Sequence, residues 1–167
     1  MAFDYEANVT AVKNALAGYN TTTSSPDLSS GMTIRVKTVS IDDPAVVGVK
    51  WDDLPAVFVQ ISGGADEFAG CGPTGPATSN ATKFKEVTYD IFGLWGRDGA
   101  HSTHKDSLTE LYRLAENIEG VLQKEMTLSG TAMYCQPEST SFGSGVNPDG
   151  TRVKGVLVAL KAKYIFR

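Results

Sequence analysis

Cysteine is nearly absent from this chain: Cys71 and Cys135 are the two. Two thiols are too few for the disulfide scaffold that holds small secreted folds together. No apolar run approaches the roughly 18 residues of a membrane-spanning helix. Positive charge is scarce as well. Fifteen Lys and Arg stand against nineteen Asp and Glu, a net charge of −4. That argues against a surface built to grip phosphates. Residues 1–6 have neither the basic segment nor the apolar core of a secretory signal. What is present is ordinary globular material: 167 residues, 41% hydrophobic and 20% charged, enough for one domain with a real core.

The first periodic segment is helical. Val9, Val12, Leu16 and Tyr19 form one stripe, with Asp4 as cap and Gly18 as stop. Residues 20–31 hold little to bury and read as a loop. Residues 33–39 alternate like a strand, 41–44 turn, and 46–51 are expected to pair back as a hairpin. Residues 54–61 predict an inner strand: Val57, Val59 and Ile61 share one face, Phe58 makes the other partly apolar, and Pro55 stands at the entrance. Residues 84–95 predict a long strand, two-faced at first and apolar on both sides later. A second helix follows. Ser107 and Glu110 form a capping box, Thr103 with Asp106 offers a second cap for a helix that begins earlier, near Ser102, and Leu108, Leu111, Tyr112, Ala115, Ile118 and Leu122 make a broad stripe. Residues 126–136 read as a strand. The last strand, 156–166, alternates without a break and is expected to pair antiparallel with the one before.

This order predicts an α+β fold: a mainly antiparallel or mixed β-sheet with two α-helices packed on one face, in a single domain over 1–167. Long loops are expected at 20–31, 62–81 and 137–150. The middle one holds five glycines and two prolines.

Catalytic motifs are hard to find. Residues 70–75 match G-x-G-x-x-G by letter, but Pro76 and small polar residues follow instead of a helix, so no phosphate-binding turn is expected. His101 and His104 stand three apart, near Asp98 and Asp106, and make a sparse metal set. No histidine pairs with a serine or cysteine nucleophile, and G-x-S-x-G is absent. The acidic pairs 42–43 and 52–53 are turn chemistry. The cysteines are expected to be free thiols. No enzyme, cofactor or metal site is expected.

The arrangement resembles a known family. The N-terminal helix comes first, then the proline-led strand 54–61, the long strand 87–95, the helix 107–118 and the two-strand finish ending at 157–166. Together they are similar to the tail-terminator, or tail-completion, proteins in the necks of long-tailed bacteriophages. The resemblance implies a structural virion protein, assembled in the host cytoplasm, with no catalytic residues. It implies a ring, typically of six copies, that caps the tail tube and joins it to a head-completion or adaptor protein. DNA would only pass through its channel, and no membrane is involved. On this reading the candidate assembly residues are Asp66, Glu67, Phe68 and Pro73 in the middle loop and Phe142 and Asn147 in the last. The extra length at 62–81 departs from the pattern and would suit a head–tail adaptor or another minor tail protein. A small metal- or ligand-binding domain using His101, His104 and loop 62–81 is the alternative from another class.

Overall fold

Four hydrophobic stretches with a period of two cannot be buried one by one; they have to share a sheet. The computed structural model describes residues 3–68, 83–96, 104–146 and 152–166. The elements run α1 (Tyr5–Gly18), β1 (Thr38–Ser40), α2 (Pro44–Val47), a 3₁₀ turn (Trp51–Asp53), β2 (Ala56–Phe68), β3 (Lys83–Gly96), α3 (His104–Lys124), β4 (Tyr134–Val146) and β5 (Arg152–Phe166). The five strands form one mixed sheet in the order β1–β2–β3–β5–β4. β1 lies parallel to β2, and every other pairing is antiparallel. The α+β expectation is met.

The helices form for the reasons visible in the sequence. The Asp4 carboxylate accepts from the Ala7 amide at 2.9 Å and caps α1. Val9, Val12 and Leu16 are buried. On α3, Leu111, Leu114, Ala115, Ile118, Val121 and Leu122 are buried. Both helices lie on the same side of the sheet. Their stripes meet Val57, Val59, Val87, Tyr89, Ile91, Val156, Val158, Leu160 and Ala162 in one core.

Helix and sheet come closest at Gly93. A Cβ there would stand 2.8 Å from Val156 Cγ1, 3.0 Å from Leu114 Cδ2 and 3.1 Å from Ile118 Cδ1. Only glycine lets α3 settle this deeply on β3 and β5.

Four expectations are corrected. The segment 62–81 is not all loop: residues 62–68 continue β2, paired with residues 83–88 of β3 after a bulge between Ile61 and Gly63. Strand pairing overrides the low β-propensity of Ser62, Gly63 and Gly64. Residues 69–82 lie outside the described residues. The supposed loop 137–150 is mostly β4. Pro137 sits at a bulge on an edge strand, where its missing N–H does no harm; residues 147–151 lie outside the description. The expected strand over 126–136 begins only at Tyr134. Before it the chain coils through Leu128, Ser129 and Gly130, all left-handed with φ of 49°, 57° and 86°. Leu128 and Ala132 are buried because this coil tucks them under, not because they alternate along a strand. The expected hairpin 33–51 is a three-residue strand followed by α2. Asp43 caps α2 through the Ala45 amide at 2.8 Å, Pro44 starts it, and Gly48 ends it at φ 69°.

Loop 20–31 is irregular, as expected, but firmly held. Leu28 is fully buried. Arg35 donates to both Asp27 oxygens at 2.8 and 2.9 Å. Ser29 Oγ donates to Asn20 Oδ1 at 2.7 Å, and Asn20 Nδ2 donates to the Val36 carbonyl at 2.8 Å. Glu110 does not close a capping box. The helix already starts at His104, and Glu110 accepts instead from the amide and hydroxyl of Thr33, at 3.0 and 2.9 Å.

Two predictions follow from this packing. Gly93→Ala should destabilise the protomer by about 1–3 kcal/mol, read as a lower urea midpoint; an unchanged midpoint would contradict the close seating of α3. The Arg35 guanidinium beside Asp27 holds its carboxyl below the usual range. Its stabilising contribution is therefore complete above the unfolded carboxyl pKa, about 3.9, and is lost as pH falls through the lower folded value. The stability gap between the wild type and Asp27→Asn should be open at pH 7 and close in acid below that point. A gap independent of pH would show that the pair does not matter.

Candidate interaction surface

A strand with apolar residues at both parities needs a cover on both faces. β2, β3 and β5 are such strands, yet α1 and α3 cover only one face. On the other face Phe58 and Ala56 are buried with Leu54, beside Val49. Val49 and Leu54, on either side of the 3₁₀ turn, make that cover, and Phe92 and Leu94 of β3 pack against its edge. Beyond it Phe92, Leu94 and Leu157 floor an open apolar groove of about 480 Å³. Pro44, Ala45 and Val49 form one wall, and residues 141–145 of β4 form the other. The sequence had marked Phe58, Phe92, Leu94 and Leu157 as excess apolar surface; α1 and α3 do not cover this face, and of the four Phe58 is buried while Phe92, Leu94 and Leu157 are part-exposed.

Other large apolar groups are exposed elsewhere on the protomer. Val46 and Val47 on α2 are 80% and 57% exposed. Phe142 on β4 is 49% exposed and stands edge-on to Tyr112 of α3, which is 47% exposed, with ring centroids 5.1 Å apart. Farther along the bare face the surface turns polar. Lys161 reaches Glu86 at 2.6 Å and Glu138 at 3.6 Å. The hydrogen bond to Glu86 is the main reason its ammonium pKa is raised.

The sequence-predicted assembly residues do not gather. Asp66 is exposed on β2, where its Oδ1 accepts from Lys85 Nζ at 2.6 Å. Glu67 and Phe68 continue β2 opposite Phe84 and Lys83. Pro73 and Asn147 lie outside the described residues. Asp66 is level with Tyr164 of β5, by way of Lys85, and Phe142 is level with Val156. Eight residues of strand, about 26 Å at 3.3 Å each, separate the two ends. Phe142 lies at the groove's end of the sheet with its ring turned to Tyr112 on the helix side, and Asp66 lies at the other end. Sequence reasoning missed the α2 wall, and it placed Tyr112 in the apolar stripe of the second helix, whereas the structure leaves that ring half-exposed at the stripe's edge. The run Asp43-Pro44, closed by Gly48, carried the signal for that short helix.

The chemistry-bearing side chains in the core hold their protons. Tyr89 and Tyr164 share a hydroxyl–hydroxyl hydrogen bond of 2.6 Å. Burial raises both, Tyr164 to about 12. Cys135 is a free, buried thiol that donates to the Glu125 carbonyl at 3.3 Å. Burial first and the Glu125 charge second push it up to about 11. At neutral pH it is a thiol, not a nucleophilic thiolate. Lys85 is nearly buried, lies over the rings of Phe3 and Tyr5 at 5.4 and 5.1 Å, and is held charged by Asp66. His101 and the His104 side chain lie outside the description. Among the described residues, no group of three or more His, Cys, Asp and Glu side chains is placed to hold a metal ion. Among them, too, no helix is long and apolar enough to cross a membrane.

In a Cys71→Ser background, a thiol reagent at pH 8 should leave Cys135 unmodified until denaturant is added. Stoichiometric labelling of the native protein would contradict its burial.

The chain matches no known family model and no curated protein, so its surface is the evidence for what it does.

Proposed function

We propose that this chain is a structural protein of a bacteriophage neck, a tail terminator whose copies form a ring that caps the tail tube and meets the head-completion complex. The uncovered groove carries the reading. A subunit that worked alone would gain from covering Phe92, Leu94 and Leu157, and burying one such side chain is worth about 1.5–3 kcal/mol. Here they stay partly exposed and line the groove. Contiguous apolar surface with a polar border is what a partner-binding protein keeps.

A ring requires that one patch meet a different patch on the next copy. This protomer has different surfaces to offer: a helix-covered face, a bare face and separate sheet edges. The order of helices and strands fits the resemblance drawn from the sequence. The net charge of −4 suits a channel through which DNA slides without adhering. The protonated tyrosines and thiol fit a protein that works by contact surface.

Incubation of the purified chain with tubes of the tail-tube protein, followed by negative-stain imaging, tests the proposal. Rings seated on tube ends are the expected result. Tubes that stay bare at saturating protein would overturn it.

A further inference from the structure

The two halves of β2 are held in different ways. Ala56, Val57, Phe58 and Val59 are buried, and β1 pairs with residues 56–58. Past Ile61 a bulge leaves Ser62 with no opposite residue on β3; its hydroxyl donates to the Thr88 carbonyl at 3.3 Å. Beyond that point Gly64, Ala65 and Asp66 are exposed like Ser62, and Gly63 is half-buried. None of these five adds a buried side chain to the core. Among the described residues, β3 is the one strand partner of residues 59–68. Serine and glycine have little preference for strands, and a bulge disrupts the ladder locally.

What pins this end is polar. The core-facing row of β3 runs Ile91, Tyr89 and Val87, all fully buried, and its next member is Lys85, 9% exposed. The Lys85 ammonium lies over the rings of Phe3 and Tyr5. Phe3 in turn stands edge-on to Tyr164 of β5, with ring centroids 5.2 Å apart. The body of the protomer therefore fixes the lysine from the α1 side. Asp66 is opposite it on β2 and accepts one hydrogen bond from it at 2.6 Å. The aspartate side chain is 57% exposed, the lysine side chain 11%.

We infer that residues 62–68 of β2 form an arm that opens from β3 while the rest of the sheet stays folded, hinged at the bulge and latched by Asp66 on Lys85. Segments with few buried apolar contacts open at a fraction of the global cost. This one takes no core side chain with it. When it leaves, residues 83–88 of β3 keep their pairing with residues 161–166 of β5, and Lys85 keeps its two aromatic rings. The latch is one ion pair with an exposed acid, which salt weakens. The hinge is glycine without need: a Cβ at Gly63 would have nothing within 4 Å, and its φ is not left-handed. Glycine there favours the open arm by its backbone entropy. The inference uses nothing of the neck role.

Amide hydrogen exchange followed by NMR on the full chain reads the opening residue by residue. Amides of 63–68 that bond to β3 should be protected, but far less than those of Leu114 and Ile118 on α3. Low urea should barely change their rates, because opening the arm exposes little surface. Asp66→Asn should speed their exchange about two- to fivefold, and added salt should move the wild type the same way. Gly63→Ala should slow it about two- to fivefold. Gly93→Ala, which loosens the seat of α3, should speed exchange on α3 and leave the arm unchanged. Four results would overturn the inference: an arm protected as strongly as α3 with the same urea response, an arm with no protection at all, an Asp66→Asn arm that exchanges like the wild type, or an arm that follows α3 in Gly93→Ala.

Discussion

Both long helices dock on one face of the sheet, and most of the molecule's character follows from that choice. The seat is set by Gly93. With no side chain there, Leu114 and Ile118 of α3 come down onto β3 and against Val156 of β5. α1 takes the neighbouring position over β2 and contacts α3. Together they bury the residues of one parity on β3, on β5 and on the first half of β2. Among the described residues there is no third long helix for the other parity. Val49 and Leu54 pack with Phe58 there and touch Phe92 and Leu94, which remain part-exposed. The groove over Phe92, Leu94 and Leu157 is thus a consequence of the same packing that makes the core.

The polar contacts serve this arrangement. Glu110 ties the start of α3 to Thr33, and Asp27, Arg35, Asn20 and Ser29 lock the long connection between α1 and β1. Tyr19 reaches Glu125 at 2.7 Å, joining the end of α1 to the turn after α3. The buried groups with chemical potential, Cys135, Tyr89 and Tyr164, are held protonated by their surroundings. They act as packing groups with satisfied hydrogen bonds, while the solvent-facing features are apolar or are free strand edges.

Much of the fold could be read in the sequence where periodicity was strong. The stripe from Val9 to Leu16, the broad stripe of α3 and the alternation of β5 each name their element and their buried face. Errors arose where tertiary pairing overrode local preference. Ser62, Gly63 and Gly64 extend β2 because β3 holds them, and residues 139–145 are strand because β5 holds them. Leu128 and Ala132 imitated a strand by spacing, but a left-handed coil buries them. As for the surface, the excess apolar residues were visible as a count on both faces of β2, β3 and β5. Their exposure depends on which face the helices choose, and local periodicity does not record that. The free edges were hidden for the same reason: strand order is a property of the whole sheet.

The central claim is that the groove over Phe92, Leu94 and Leu157 is a contact surface between copies. Amide hydrogen exchange on the dilute protomer and on the concentrated, assembled protein measures this directly. The account predicts that the groove-lining segments 44–49 and 141–145 exchange faster when dilute and become protected on assembly, while α3 stays equally protected in both. Equal exchange of these segments in the two states would contradict it.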